Sequence, residues 1–436
     1  MLHFLYHELP RTLSYGLKGV KRVRHTTGVL TKTGIGWLLG DRPETPELVR
    51  RTFERMGATY IKLGQVIASS PSLFPAEYVK QFKRCLDKTE PVPYKVMEKI
   101  LYRELGKKKV TQYFAKIDPQ PLASASIAQV YGAKLRTGED VVIKIQRPGV
   151  EDILVTDLVF LQTAGQLMEW IVPRLKHASI TGILSEIRKS VLEECNFLQE
   201  SDNIEVFSNF LHQTGNNRVV VPKVYPEVTT RKVLTMERFF GISLTDRERL
   251  MQYADDPAES ISAAFETWFE SITRCALFHA DLHAGNILLL QDGKVGFIDF
   301  GIVSSISHKT RSGMKSLIQA MICNDFHQMA KSMIMIGLTG KRVNRFHLEG
   351  DLKNLYDQFS GHDPIFDDSP MLQKGESDQF LIRIVQIGEK HGIHFPSEFT
   401  LLLKQFLYFD SYRDILMNSD PFFDGMVKMT GQGYDF

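Results

Sequence analysis

The 436 residues are 43% apolar and 24% charged, enough to bury the core of one two-lobed enzyme or of two to three small domains. This excludes a short peptide module and a disordered chain. Lys and Arg number 53 against 51 Asp and Glu, a net charge of +2, so no overall basic field draws the chain to nucleic acid and a charged partner must be met by a local patch.

Residues 1–40 concentrate what charge asymmetry there is, with Arg11, Lys18, Lys21, Arg22, Arg24 and Lys32 against Glu8. Leu13, Leu17, Val20 and Val23 recur beside them at helical spacing, the pattern of a helix lying on anionic lipid, with a solvated arm as the alternative. No continuous apolar stretch follows the bases, which argues against a secretory signal and leaves a mitochondrial presequence open.

From Thr45 to about Ser69, Phe53, Met56, Tyr60, Leu63 and Ile67 alternate at spacings of three and four and predict one helix. Two more are expected at 76–87, after Pro75, and at 93–105, between Pro93 and Gly106. The period then falls to two. Pro121 to Ser126, Ala128 to Leu135 and Val141 to Gln146 read as strands, the last two joined by Thr137-Gly138-Glu139-Asp140.

Helices are expected again at 152–172 and 180–212, then strands at Val219 to Pro222 and Lys232 to Phe239, with Gly241 as a linker. Ala258 to Phe278 is amphipathic, a hairpin follows at 287–298, and the rest is mostly helical. The most apolar windows, 153–172 and 316–338, are broken by Asp157, Glu169, Asp325 and Lys331, short of the roughly eighteen uninterrupted residues of a spanning helix. Cys85, Cys195, Cys275 and Cys323 form no C-x-x-C pair, which speaks for a reducing home and against a zinc ribbon or disulfide framework.

The chemistry concentrates in His279-Ala280-Asp281-Leu282-His283-Ala284-Gly285-Asn286, the hairpin after it, and Phe297-Ile298-Asp299-Phe300-Gly301. Phosphoryl transfer needs a carboxylate to orient the attacking hydroxyl and oxygen ligands for magnesium on the nucleotide phosphates. Asp281 and Asn286 keep the spacing of the kinase loop H-R-D-x-x-x-x-N, and Asp299 opens a D-F-G that the hairpin returns beside Asn286. Each piece alone is weak: a lone Asp-Phe-Gly is usually a turn, and His279 and His283 could be surface residues or zinc ligands.

Upstream, Val141-Val142-Ile143-Lys144 is like the kinase V-A-I-K, whose lysine pairs the α and β phosphates and a glutamate on the next helix. The acid chosen here is Glu200. Where a glycine-rich phosphate loop is expected stands Ala123-Ser124-Ala125-Ser126-Ile127-Ala128-Gln129-Val130. Alanine does not take the positive φ that lets glycine loops close over phosphates, so this loop should be stiffer.

Together these residues resemble the UbiB family of atypical kinases, which includes the AarF-type proteins, from about residue 45 to beyond Gly301. The distinctive K-x-G-Q motif is Lys62-Leu63-Gly64-Gln65, followed by Ser69 and Pro75. The resemblance implies an α+β, protein-kinase-like, two-lobed fold. Its expected parts are a basic segment (1–44), a helical extension (45–110), an N-lobe with a helical insertion (111–240) and a helical C-lobe (241–436).

It implies that the extension folds over the active site and sets Lys62 and Gln65 near the phosphates, blocking a protein substrate. No A-P-E or long activation segment follows Gly301, in agreement. The implied cofactors are ATP and Mg2+. ATP is bound by the alanine-rich loop, Lys144, Glu200, Met236 and Glu237, metal by Asn286 and Asp299, and Asp281 acts with Lys62 and Gln65 in catalysis. The family's E-x-D partner of the K-x-G-Q lysine falls on Glu194-Cys195-Asn196, so its aspartate is Asn196, which keeps an oxygen but loses the charge. His279-Ala280 lacks the arginine that would receive an activation-loop phosphate.

The implied activity is ATP hydrolysis, or transfer to a small or lipid-like molecule, in ubiquinone or other isoprenoid lipid metabolism. Implied partners are a quinone precursor, an anionic membrane surface and quinone-biosynthesis proteins, in the cytoplasm or peripherally on an inner membrane. A small-molecule kinase of the aminoglycoside or choline type, a nucleotide-switched lipid-binding protein without turnover, and a zinc hydrolase built on His279, His283 and Asp299 are the alternatives.

Overall fold

The computed structural model describes residues 28–29, 32, 44–68, 76–82, 90–171, 180–244, 246, 249–250, 253, 257–339, 343–359 and 376–410. The expected basic helix at the start lies almost wholly outside them, as do Ser69 and Pro75. The chain divides into two compact units, Met1–Gln199 with Tyr225–Met236, and Glu200–Val224 with Glu237–Phe436.

The first unit opens with α1 (Thr45–Met56) and α2 (Ala58–Ala68). The single helix expected here is broken at Gly57, whose φ of 98° is open to glycine but strained for a residue with a side chain. Next come α3 (Ala76–Phe82), α4 (Tyr94–Leu105) and α5 (Lys107–Tyr113). Pro93 and Gly106 flank α4 as expected, whereas the short α5 has no counterpart in the sequence reading.

Strands β1 (Phe114–Ser124), β2 (Ala128–Leu135) and β3 (Asp140–Gln146) follow as an antiparallel meander. β1 starts well before Pro121 because Phe114 already pairs with Leu135, and register shifts within the pairing hid its period from the sequence. Val141, Ile143 and Ile145 alternate inward and bury fully with Tyr131, Met97 and Leu101. Each such side chain contributes about 1.5–3 kcal/mol by burial. The same alternation leaves Lys144 on the opposite face.

Helices α6 (Val150–Ile171), α7 (Ile180–Glu194) and α8 (Phe197–Thr214) come next. The expected helix over 180–212 is thus interrupted at Cys195 and Asn196. There the Gln146 side chain donates to the Cys195 carbonyl at 2.5 Å and Phe197 N–H donates to Arg231 O, both instead of the helical ladder. A second core joins Met56, Tyr60 and Leu63 to Leu154, Leu158 and Val191. Beside it a buried Thr59 hydroxyl donates to Asp157 at 2.6 Å. After β4 (Val219–Val220), β5 (Val233–Glu237) completes the first sheet in the order β1-β2-β3-β5.

The second unit contains β6 (Gly241–Ser243), α9 (Pro257–Arg274), β7 (Phe278–His279), β8 (Ile287–Leu290), β9 (Val295–Phe297) and β10 (Val303–Ser304). Its sheet runs β4-β9-β8-β6, with β4 parallel to β9 and the other pairs antiparallel. Gly241 is a strand residue rather than a linker. It pairs with Leu290, and a Cβ there would lie 2.6 Å from the Leu289 carbonyl oxygen, so only glycine lets the strands approach.

Helices α10 (His308–Ile322) and α11 (Phe326–Ile336), the short β11 (Leu338–Thr339), α12 (Arg345–Phe359), α13 (Glu376–Lys390), β12 (Ile393–His394) and α14 (Ser397–Asp410) complete the described chain. No described helix is long and apolar enough to cross a membrane. Cys195, Cys275 and Cys323 are free thiols, and burial pushes Cys195 up to about 12.

Candidate functional site

In the first unit, Lys62 on α2 donates to Glu194 Oε1 at 2.5 Å across 132 residues, and the two side chains are only 11% and 20% exposed. The K-x-G-Q lysine and the glutamate of E-x-x thus meet. Gln65 follows one turn on along α2. Asn196, two residues past Glu194, has a buried Oδ1 with no hydrogen-bond partner. An orphaned buried acceptor is costly, and it stands where the family pattern has a carboxylate.

The alanine-rich segment turns between β1 and β2. Ala123 and Ser124 end β1, Ala125 N–H donates to Ala128 O at 2.9 Å, and Ala128 to Val130 begin β2. Ile127 packs into the helical core with Met56, Tyr60 and Leu63. Gln129 is fully buried, and its amide is taken up by both backbone groups of Val92 and by the Tyr131 hydroxyl. Arg147 supports the turn, donating to Ala125 O and Ser124 Oγ at 2.7 Å and to Glu90 O at 2.8 Å. No motif announces Arg147; it is one more basic residue after a strand. The loop expected to be stiff for its alanines thus also has a guanidinium strut.

Lys144 lies opposite Val130 on the partner strand, with Nζ 5.4 Å from the Phe197 ring centre. Met236 is buried at the end of β5.

In the second unit, Glu200 is buried on α8. The Glu237 side chain is occupied with the Lys223 N–H at 3.2 Å. The loop after β7 holds the Asp281–Asn286 segment. Trp268 on α9 donates its indole N–H to His279 O at 2.8 Å. His279 is fully buried; its Nδ1 accepts from Asp281 N–H at 3.1 Å, and its Nε2–H is left to donate to Ile298 O at 3.2 Å. Burial, only partly opposed by Asp281 and the bond to Ile298, lowers its pKa and keeps it neutral. Both ring nitrogens are thus committed to the backbone. Among the described residues no group of three or more His, Cys, Asp or Glu could hold a metal ion.

Asn286 Nδ2 donates to the Asp281 carbonyl at 2.9 Å, a bond that leaves the amide oxygen uncommitted to the loop. Ile298 N–H donates to Asn286 O at 3.0 Å. The hairpin therefore returns Asp299 to within one residue of Asn286, as the sequence predicted. Asp299 has a φ of 63°, and its carboxylate accepts from Gly301 N–H at 3.3 Å. Asp tolerates this backbone region better than most residues, and strain of this kind concentrates at functional positions. Phe300 is buried edge-on to His279 and 5.3 Å from Phe207, and its carbonyl accepts from Asn203. Only β10 intervenes before α10 begins at His308, leaving no room for a long activation segment.

Three residues of α14 reach this loop without any motif to announce them. Lys404 Nζ donates to Asp281 Oδ1 at 2.8 Å. Gln405 spans the same residue, accepting from Leu282 N–H at 2.8 Å and donating to Ala280 O at 2.6 Å. Tyr408 lies beside them, its ring centre 5.4 Å from Lys404 Nζ and 6.4 Å from the His283 ring. Burial pushes the Asp281 carboxyl up, but the Lys404 and His283 charges and the Lys404 hydrogen bond outweigh it and hold it below the usual carboxylate range. Burial pulls Lys404 down, but Asp281 and Tyr408 together raise it above an ordinary lysine. The available signal was compositional: Lys404-Gln405 interrupts the apolar run Leu401-Leu402-Leu403…Phe406-Leu407, and a buried lysine is nearly always paired.

The hard oxygen donors of Asn286 and Asp299 are those magnesium prefers, and the Asn286 hydrogen bond leaves its oxygen for that purpose.

Residues 84–333 match the model of the ABC1 atypical kinase-like domain, so the chain belongs to that family, the UbiB-type atypical kinases. An uncharacterized aarF domain-containing protein kinase, chloroplastic, of Arabidopsis thaliana is 41% identical over 389 residues, covering 85% of this chain and 72% of that protein. A probable protein kinase UbiB of Azotobacter vinelandii is 29% identical over 380 residues, 85% of this chain and 68% of that one. The structure of Mycobacterium tuberculosis Rv3197 in complex with erythromycin shares the fold, with a TM-score of 0.58 and 23% identity over 94% of this chain and 97% of that one. The α+β, kinase-like class expected from the sequence is therefore the class of this protein.

Proposed function

We propose that the chain binds Mg-ATP and hydrolyses it, or transfers its terminal phosphoryl group to a small or lipid-like acceptor, in isoprenoid lipid metabolism at a membrane surface. The observation that carries this reading is the tied catalytic loop: Asn286 bonded to Asp281, and Ile298 bonded to Asn286, one residue before the strained Asp299. This supports Asp281 as the acceptor that orients the attacking O–H, and Asn286 with Asp299 as the magnesium ligands. Magnesium bound there would neutralise charge on the nucleotide phosphates.

In the first unit, Lys144 is assigned to the α and β phosphates, and the Arg147-braced alanine loop and Met236 to the nucleotide; in the second, Glu200 is assigned to ATP binding. Glu237 is assigned to it through its backbone carbonyl, since its N–H donates to Lys223 O and its carboxylate accepts from Lys223 N–H. Lys62, Gln65 and Glu194 act together on the phosphate side, with Asn196 in place of the acid. In hydrolysis, the water oxygen forms a bond to the γ-phosphorus as the bridging oxygen leaves with ADP, and the water proton departs past Asp281 to solvent. Orientation and charge stabilisation carry such a reaction, and a strong base is not required.

The test is phosphate release from ATP with magnesium by the full chain, with and without anionic vesicles and a phenolic quinone-precursor analogue. Turnover that rises with vesicles or analogue supports the lipid reading. Turnover indifferent to both removes the lipid part, and nucleotide binding with no turnover under any condition replaces the enzyme with a nucleotide-switched binding protein.

A further inference from the structure

We infer that Lys404 is a positioning residue of the catalytic centre, acting through Asp281 and delivered from the C-terminal helix α14; this rests on the phosphoryl-transfer reading above. Every torsion around Asp281 except its side chain is already fixed by other groups. Its N–H is held by His279 Nδ1 and its carbonyl by Asn286 Nδ2, and the peptides on either side are held by the single amide of Gln405. Only the carboxylate remains free to rotate, and Lys404 takes one of its oxygens, Oδ1, at 2.8 Å.

Oδ1 is the oxygen anchored by Lys404. The Tyr408 hydroxyl, on the same face of α14, hydrogen-bonds the same carboxylate, and His283 Nε2 stands 3.9 Å from Oδ2, beyond hydrogen-bond distance. The Asp281 side chain remains 19% exposed, enough to be reached. A centre of this kind needs its reacting group held within a fraction of an ångström by second contacts.

Packing does not explain a lysine here. Lys404 lies on one face of α14 with Leu401 and Tyr408 and is only 15% exposed, and an apolar side chain there would carry no desolvation cost. Moreover, Gln405 alone already fastens the helix to the loop. The role left to Lys404, with Tyr408 bonded to both it and Asp281, is to aim the carboxylate.

The test compares kcat and KM for Mg-ATP hydrolysis, and nucleotide affinity, in the full-length wild type, Lys404→Met, Lys404→Arg, Asp281→Asn and the double variant Asp281→Asn/Lys404→Met. The expected result is a kcat for Lys404→Met lower by about 10- to 100-fold, with KM and nucleotide affinity within about twofold, and partial recovery in Lys404→Arg. The decisive arm is the double variant, expected to be no slower than Asp281→Asn, because residues acting as a unit are not additive.

A kcat for Lys404→Met within about twofold of wild type, or losses that multiply in the double variant, overturns the inference and leaves the phosphoryl-transfer reading intact. Absence of turnover in the wild type overturns both. If Lys404→Met fails to fold, Lys404→Gln keeps a neutral donor on the helix, and the same comparison against Asp281→Asn decides.

Discussion

Two lysine–carboxylate pairs can be set side by side, one in each unit. Lys62 meets Glu194 at 2.5 Å in the first and Lys404 meets Asp281 at 2.8 Å in the second, each across more than a hundred residues of chain. Both pairs are mostly withdrawn from water, where separating the partners is costly. Their surroundings differ. Both peptide groups flanking Asp281 have side-chain partners, whereas beside Glu194 the Asn196 oxygen is buried with none. The fully satisfied pair has the character of a rigid reaction centre, and the pair with an orphaned neighbour that of an adjustable contact.

Removing the reaction-centre acid should have the largest effect. Asp281→Asn is expected to lower kcat for ATP by about 10²- to 10⁴-fold while leaving nucleotide affinity nearly unchanged, read by phosphate release and calorimetric titration. A kcat close to wild type would show that the rigid loop is not where chemistry occurs.

Breaking the other pair should matter less. Lys62→Ala strands a partly buried carboxylate, for a stability loss of about 1–3 kcal/mol seen as a melting point a few degrees lower in a still-folded protein. Its change in ATP turnover should be smaller than that of Asp281→Asn. If it instead abolishes turnover as fully, the two pairs have equal standing.

Asn196→Asp sharpens the contrast further. It puts a charge where a neutral acceptor already lacks a partner, so it should destabilise the protein by about 1–3 kcal/mol without metal. Magnesium should raise the melting point of this variant more than that of the wild type. Equal magnesium responses would show that the position is not near a cation.

The smallest effect concerns acid. The folded-state pKa of Asp281 is held below its unfolded value, so the pair's contribution is fully present above the ordinary carboxylate value, near about pH 4, and is lost as pH falls from there through the lower folded-state value. Melting points of wild type should therefore fall more steeply on acidification from pH 6 to pH 3 than those of Asp281→Asn. Parallel curves would mean that the carboxylate gains nothing from its buried partner.

The amino-acid sequence by itself determined the family, the loop from Asp281 to Asn286 and the hairpin behind it. Asp281, Asn286 and Asp299 are joined by short, locally folded segments, so their spacing already encodes their geometry. It also determined the inward alternation of Val141, Ile143 and Ile145 that leaves Lys144 on the opposite face. It misread what depends on a single backbone conformation or on distant partners. Gly57 at φ 98° splits one expected helix, Gln146 and Arg231 help to interrupt another at Cys195, and Leu289 turns the expected linker at Gly241 into a paired strand.

Only the tertiary structure decided that Arg147 braces the alanine-rich loop, that Gln129 is committed to Val92 rather than free for a nucleotide, and that Lys404 and Gln405 hold the loop bearing Asp281. The reason is physical. A lysine within an apolar helix announces that it must be paired, but which carboxylate satisfies it is set by the packing of chain segments more than a hundred residues apart, which no local period or motif records.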